Sequence, residues 1–219
     1  MAAPLWRVAL LLAASSVAAA ALSSSSPRRA PHAAPVHDPV ASTQGLITRI
    51  LGAGYVASFA VSVMPPDAAT GNDVFSLAAG ATPGTVSLSG SSGVALASAL
   101  GWYLKFSCNA SWAWGVDNSG HQVASVPPPG ALPAPVGDVR LVSPARFRYS
   151  YNTCSFGYSF PWYDVTRWQQ EVDRLALWGI NAPLMPIGME AAEAAVYARM
   201  GVTEAELQAW FTGHSHLPW

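Results

Sequence analysis

The sequence predicts an α/β protein in which a small mixed α/β domain is followed by a parallel βαβ unit. Three observations support this fold class. Apolar residues alternate over residues 146–152, which is the period of a strand. They recur at intervals of three and four over residues 165–175, which is the period of a helix. A short apolar run then covers residues 180–187 and is typical of a strand buried on both faces. Strand, helix and buried strand in this order form a parallel βαβ unit.

Length and composition limit the class of protein. The chain has 219 residues, which is enough for one ordinary domain or two small ones. Only 11% of the residues are charged and the net charge is −1, so the basic surface of a nucleic-acid-binding protein is not expected. The nine tryptophans suit either core packing or the stacking of sugar rings.

The N-terminus resembles a targeting segment. Residues 1–22 contain one arginine, a short apolar core and an alanine-rich end, and they are predicted to be a secretory signal peptide. Residues 23–38 are rich in Ser, Pro and Ala and are predicted to be a disordered lead-in. We therefore expect the secretory pathway as the location, with a lysosomal, vacuolar or extracellular destination and no stable membrane insertion.

An oxidising compartment affects two further features. A disulfide between Cys108 and Cys154 is allowed there, but two cysteines do not settle whether they pair. Asn109 begins an Asn-Ala-Ser tripeptide, which is an acceptor for N-glycosylation. Neither cysteine belongs to a metal-ligand spacing, and we expect no metal site and no cofactor.

The first folded domain is predicted over residues 39–125. Asp38 and Pro39 provide an N-cap and a first-turn proline for a helix that ends near Leu51. The remaining predicted elements are strands at 55–64, 73–78, 85–89 and 111–115 and a helix at 93–107. A proline-rich segment, residues 126–145, is predicted to be a connector to the second domain, residues 146–219.

Polar and aromatic residues follow the two strands of the βαβ unit, which is where parallel α/β folds place their working groups. Asn152 and Cys154 follow the first strand, and Glu190 follows the second. An aromatic loop containing Tyr158 and Trp162 lies over the same end. An amide, a phenol, a carboxylate and aromatic rings suit a sugar. Ordinary structural roles in turns, packing or helix capping remain open for each of them.

The carboxylates do not form a convincing acid/base pair. A glycosidase needs two carboxylates about 5 to 9.5 Å apart on opposite sides of the scissile bond. Glu190 and Glu193 lie side by side on one helix face, whereas Glu171 and Asp173 point apart around another. Glu206 forms a predicted capping box with Thr203. We therefore assign no catalytic residue in this chain.

Several motifs together resemble the α-N-acetylglucosaminidase family. The strand end carries Asn-x-Cys at 152–154, Tyr-Ser-Phe at 158–160 and a tryptophan at 162. The helix carries Trp168, Glu171 and Asp173 and ends in Gly-Ile-Asn at 179–181. Residues 84–104 are similar to the family's accessory domain, and residues 202–213 also match. Met189 before Glu190, and Tyr163 in the loop, depart from the family's usual glutamine and tryptophan.

The resemblance implies a fold and an activity. The fold would be a small mixed α/β accessory domain followed by the first two βα units of an incomplete (β/α)8 barrel, since 74 residues remain from Arg146 and a barrel takes about 250. The family removes terminal α-linked N-acetylglucosamine from glycans, its two catalytic glutamates lying further along. Asn152, Cys154, Tyr158, Trp162 and Glu190 would contact the glycan.

Two expectations follow from that comparison. The chain alone should be inactive, and it should fold poorly beyond about residue 140 because two barrel strands leave edges uncovered. The alternative reading is a non-catalytic secreted module that binds carbohydrate or another partner. The oligomeric state is left open by the sequence.

Overall fold

The computed structural model describes residues 37–113, 123–150, 160–184 and 188–211 of the chain. The signal-peptide prediction and most of the predicted lead-in lie outside these residues. The helices are α1 (Pro39–Ile50), α2 (Gly93–Ser107), α3 (Val165–Leu177), α4 (Met189–Arg199) and α5 (Glu204–Phe211). The strands are β1 (Phe59–Val63), β2 (Val74–Ala79), β3 (Val86–Gly90), β4 (Val139–Val142), β5 (Tyr149–Ser150) and β6 (Ala182–Pro183).

The first sheet has four strands in the order β1-β3-β2-β4. β1 and β3 run parallel, whereas β2 is antiparallel to both β3 and β4. Residues of β3 alternate between the core and the outer face: Val86 and Leu88 are buried, and Ser87 and Ser89 are half-buried. Helices α1 and α2 cover the core side of this sheet.

Both covering helices begin at side-chain caps, of which the one at Asp38 was predicted from the sequence. The Asp38 carboxylate accepts a hydrogen bond of 2.9 Å from the backbone N–H of Val40. The Ser92 hydroxyl accepts one of 3.1 Å from Ala95. Each cap satisfies a backbone N–H group that has no partner within its helix. Helix α2 has the predicted bounds, and its buried residues form the largest part of the core: Ala95, Leu96, Ala97, Ala99, Leu100, Tyr103 and Leu104.

Two predicted strands differ from the observed structure. The first four residues of the expected strand at 55–64 belong to a 3₁₀ helix, Ala53–Ser58, and only Phe59–Val63 is extended. The expected strand at 111–115 is irregular over its described part, residues 111–113. The fourth strand is instead β4, which the 126–145 segment supplies.

The 126–145 segment therefore packs on the first sheet in addition to leading out of it. Val126 and Leu132 are buried in the core, and the Tyr103 hydroxyl donates a 2.8 Å hydrogen bond to the carbonyl of Pro133. β4 then pairs with β2 over four residues of each strand. The prolines bend the chain without preventing apolar residues between them from reaching the core.

The second sheet consists of β5 and β6, which pair in parallel with Tyr149 opposite Ala182 and Ser150 opposite Pro183. Among the described residues these strands pair only with each other. Within the described residues they cover only part of the expected strands, and β6 is half-buried instead of buried on both faces. Helix α3 connects them, which gives the predicted parallel βαβ unit and a barrel-like sheet of two strands.

The buried face of α3 is the main correction to the predicted pattern. Val165 and Val172, which the periodicity places in the core, are 87% and 42% exposed. Glu171, Asp173 and Arg174 are buried instead. The helix ends as predicted at Gly179, whose φ is +79° and which allows the N–H of Ile180 to reach the Leu175 carbonyl at 2.9 Å.

The last two helices are largely solvent-exposed in the described part of the chain. No residue of α4 is buried. Helix α5 begins at the predicted capping box, in which the Thr203 hydroxyl lies 2.8 Å from the Glu206 carboxylate and 3.3 Å from the Glu206 N–H. No helix in the described ranges is both long enough and apolar enough to cross a membrane.

Candidate functional site

Asn181 fixes the start of the β5–β6 pair. Its side-chain oxygen accepts a 2.8 Å hydrogen bond from the N–H of Arg148, and its amide nitrogen donates to the carbonyl of Arg146 at 2.9 Å. The backbone N–H of Leu184 donates to the Ser150 carbonyl at 3.0 Å at the other end of the pair. These bonds set the register of the two strands, so their carboxyl ends lie at the same edge.

We define the carboxyl edge as the edge of the strand pair after Ser150 and Pro183. Two of the residues predicted to contact sugar come after this edge in the chain. Trp162 ends the 3₁₀ turn Phe160–Trp162 and is 86% exposed. Glu190 lies in the exposed first turn of α4, after Gly188 in a left-handed conformation. The other predicted contacts, Asn152, Cys154 and Tyr158, lie outside the described residues.

An aromatic cluster supports the turn that carries Trp162. The rings of Phe160, Tyr163 and Trp168 lie with their centroids 4.9 to 5.4 Å apart. The Arg167 guanidinium lies 4.6 Å from the centre of the Tyr163 ring. Packing of these neighbours fixes the turn, and Trp162 itself points into solvent. The exposure of Trp162 therefore does not support the core-packing role that the sequence left open for it.

The carboxylates of α3 are held in ion pairs, which argues against a role in proton transfer. Glu171 has no exposed side-chain surface and contacts the guanidinium of Arg174, with Arg167 at 3.7 Å. Asp173 accepts two hydrogen bonds from Arg49, at 2.7 and 2.8 Å. The hydrogen bonds that Arg49 donates to this carboxylate raise the pKa of its guanidinium.

This buried charge was not predicted from the sequence. Its spacing is a recognisable signal, because Arg167 and Arg174 lie four residues before and three residues after Glu171, on one face of the helix. Removing one partner of such a buried pair leaves a charge without compensation, so the pair determines which face of α3 turns inward.

Arg148 joins the strand pair to the first sheet. Its guanidinium donates hydrogen bonds of 2.5 Å to the Gly179 carbonyl and to the carboxylate of Asp73, which precedes β2. It also reaches the hydroxyl of Ser143, directly after β4, at 3.2 Å. Gly101 of α2 packs on the same side, where an added Cβ would lie 2.5 Å from the Leu177 carbonyl. These contacts hold the βαβ unit against the first sheet and α2.

Comparison with known proteins identifies the class. The structure superposes on the family 89 glycoside hydrolase from Clostridium perfringens with a TM-score of 0.65 and 25% sequence identity, over 77% of this chain and 18% of that one. The matching structures include complexes with PUGNAc and 2-acetamido-1,2-dideoxynojirimycin. Another is a variant with two glutamates replaced by glutamine, in complex with its substrate GlcNAc-α-1,4-galactose. The fold is thus that of one part of a family 89 glycoside hydrolase.

The sequence comparison gives the particular family. The family descriptions "Alpha-N-acetylglucosaminidase (NAGLU) N-terminal domain" and "tim-barrel domain" match residues 41–134 and 148–219. Human α-N-acetylglucosaminidase is 42% identical over 180 residues, which are 82% of this chain and 23% of the human protein. The chain therefore belongs to the α-N-acetylglucosaminidase family, as the resemblance predicted. It spans less than a quarter of that relative's length.

Proposed function

We propose that this chain forms the first wall of the sugar pocket of an α-N-acetylglucosaminidase, which removes terminal α-linked N-acetylglucosamine from glycans. The observation that carries the proposal is the parallel β5–β6 pair within the family's barrel domain, with Trp162 and Glu190 following its carboxyl edge. That edge is where parallel barrels bind their substrates.

Each proposed contact has a chemical reason. Trp162 offers an indole face for the apolar side of a pyranose ring. The Glu190 carboxylate accepts hydrogen bonds from sugar hydroxyls. Asn152, Cys154 and Tyr158 belong to the same proposed wall on the strength of their sequence positions. None of the five is assigned a role in bond cleavage, and the chain requires no cofactor in this proposal.

The chain alone is expected to lack hydrolase activity. The carboxylates of α3, Glu171 and Asp173, form ion pairs with arginines. In addition, two parallel strands do not place an acid and a base group on opposite sides of a sugar. Purified chain incubated with a chromogenic α-N-acetylglucosaminide should release chromophore no faster than buffer does. Turnover above that blank, lost on mutation of Glu190 or any other carboxylate here, would contradict the proposal.

The contact residues are tested in a complete barrel. In a chimera, residues 38–211 of this chain replace the matching part of human α-N-acetylglucosaminidase, to which the chain is 42% identical. Trp162→Ala should raise KM about tenfold, equivalent to about 1.4 kcal/mol of lost binding. Glu190→Gln should raise KM by a similar factor, about tenfold, by weakening hydrogen bonds to a charged acceptor.

Matched controls lie on neighbouring helices. Glu193→Gln changes a carboxylate on the same helix, less than one turn further along, and Trp210→Ala removes an exposed tryptophan of α5. Both should leave KM unchanged. Equal effects at Glu190 and Glu193 would indicate a general charge effect and would contradict a direct contact by Glu190.

A non-catalytic carbohydrate-binding module is the second candidate, and the exposed Trp162 ring favours it. Titration of the chain with N-acetylglucosamine, followed by tryptophan fluorescence, separates the two. Saturable quenching that disappears in Trp162→Ala would favour a binding module that functions without the rest of a barrel. The absence of saturable quenching would leave the enzyme proposal as the better account.

The proposed location is the secretory pathway, with the lysosome, the vacuole or the exterior as destination. The apolar N-terminal segment supports this, and the proposed glycan substrate is consistent with it. Expression of the full chain in eukaryotic cells, followed by N-terminal sequencing of the product, should show cleavage near residue 22. A cytosolic product with an intact N-terminus would contradict the proposed location.

A further inference from the structure

An aromatic groove of about 730 Å³ lies among α2, β4 and the C-terminal end of α3. Its lining includes six large apolar side chains, which are Phe75, Trp102, Phe106, Trp112, Leu141 and Trp178. Gly179, three residues before β6, and Arg148, directly before β5, also border it. The aromatic groove is therefore at the amino end of the strand pair, opposite the carboxyl edge.

Aromatic rings in the groove are exposed although they are held in place. Phe106 is 50% exposed and Trp178 is 57% exposed. The Trp102 and Phe106 rings lie 4.2 Å apart, and the indole N–H of Trp178 donates a 3.0 Å hydrogen bond to the carbonyl of Trp112. Rigid, exposed and clustered rings of this kind favour a ligand with flat apolar faces.

The glycosylation tripeptide lies at the rim of the same groove. Asn109 is exposed and has a φ of 51°, a left-handed conformation that asparagine tolerates well. The turn is fixed by a 2.9 Å hydrogen bond from the Ala110 N–H to the Leu104 carbonyl. Ser111, the third residue of the tripeptide, lines the groove, and Trp112 follows it.

We propose that Asn109 carries an N-linked glycan whose first N-acetylglucosamine residues lie in the aromatic groove. Asn109, the attachment point, lies two residues before Ser111, which lines the groove, so the sugar has only a short distance to span. The C–H faces and the acetyl methyl groups of the glycan cover Phe106 and Trp178. Lys105 and Ser111 at the groove offer hydrogen bonds to sugar oxygens. This proposal concerns a covalent modification and is independent of the sugar pocket at the carboxyl edge.

The test compares oxidation of individual side chains with and without the glycan. The full chain is secreted from eukaryotic cells, and half of the sample is treated with peptide-N-glycosidase in its folded state. Hydroxyl-radical footprinting with mass spectrometry then measures each oxidation rate. If the glycan lowers the exposed fraction of Phe106 and Trp178 from about half to that of core residues, both should oxidise about fivefold more slowly in the glycosylated sample.

Internal and matched controls accompany the measurement. Trp162 and Trp210 are exposed outside the groove and should oxidise at the same rate in both samples. An Asn109→Gln chain from the same cells should reproduce the deglycosylated rates. Removal of the glycan should lower Tm in the parent chain and in Trp210→Ala, but by less in Phe106→Ala.

Three results would overturn the proposal. A secreted chain that carries no glycan at Asn109 would mean that the proposed ligand does not exist. Equal and fast oxidation of Phe106 and Trp178 in both samples would show that the glycan points into solvent. Equal and slow oxidation in both samples would show that another part of the chain, or a second copy, covers the groove. None of these results depends on hydrolase activity, so failure here leaves the proposed enzyme function unaffected.

Discussion

Replacement of Arg148 by methionine should loosen the βαβ unit from the first sheet. The methionine keeps most of the side-chain length but removes every hydrogen bond that the guanidinium makes. Besides two bonds to nearby backbone carbonyls, they reach the carboxylate of Asp73, the carbonyl of Gly179 and the hydroxyl of Ser143. They join three segments that are distant in sequence, so no neighbouring residue can replace them.

The expected loss follows from the burial of the pair. The Arg148 and Asp73 side chains are 17% and 19% exposed. Breaking a buried ion pair by removing one partner costs 3–5 kcal/mol, and residual solvation of a mostly buried pair reduces this to about 2–4 kcal/mol. In Arg148→Met, the Asp73 carboxylate is left as an uncompensated charge, which Asp73→Asn removes. The double variant should therefore regain about 1–2 kcal/mol of the free energy of unfolding that Arg148→Met loses.

Urea denaturation, followed by tryptophan fluorescence, measures these differences. The matched control is Arg140→Met, because Arg140 is 54% exposed and pairs with Asp67 at the surface. The midpoint of the control should change much less than that of Arg148→Met. Equal shifts for the two variants, or an additive double variant, would refute the view that Arg148 compensates a buried charge.

The same pair predicts a dependence on pH. Partial burial by itself raises the pKa of Asp73, but hydrogen bonds from Arg148, Ser92 and Ser91 outweigh it and hold the pKa below its usual value. A carboxylate with a lowered pKa stabilises the fold at higher pH. This contribution should therefore be lost as the pH falls below about 3.9, the usual pKa of an aspartate. Asp73→Asn should show a weaker loss of stability in acid than the parent chain.

Three further predictions concern the first domain and the last helix. Tyr103→Phe should lower the free energy of unfolding in urea by about 1–2 kcal/mol, because the partly buried Pro133 carbonyl loses the 2.8 Å hydrogen bond from the Tyr103 hydroxyl. Thr203→Ala should lower the stability of α5 by about 1 kcal/mol, seen as faster amide exchange over Glu204–Phe211 with α2 unchanged. Burial raises the pKa of the Cys108 thiol, although the neighbouring Tyr103 hydroxyl lowers it in part. In the Cys154→Ser variant, the Cys108 thiol of the folded chain should therefore react with Ellman's reagent at least about tenfold more slowly than the same thiol in urea.

The sequence alone determined the elements whose signals are local. The predicted caps at Asp38 and Thr203 and the glycine stop at Gly179 act within a few residues of the helix ends. Helix α2 was predicted with its observed bounds for the same reason. The order of strand, helix and strand around α3 also followed from periodicity, and the family motifs placed this unit in a barrel.

The tertiary structure decided which segments meet. The many prolines of the 126–145 segment predict a connector, yet four of its residues form β4 and complete the first sheet. Pairing of β4 with β2 depends on contacts about 65 residues apart, and no local rule reports them. The exposed aromatic groove likewise forms only where α2 and the end of α3 approach β4.

Helix α3 shows most clearly what the sequence determines and what only the tertiary structure decides. Spacing predicted a helix over these residues and was right, but it placed Val165 and Val172 inward, and both are exposed. Glu171 and Arg174 turn inward because each neutralises the other once both are removed from water. Hydrophobicity along a sequence specifies which periodic structure forms. The side that becomes buried depends on charge partners and neighbouring elements, such as Arg49 of α1, that only the folded chain brings into contact.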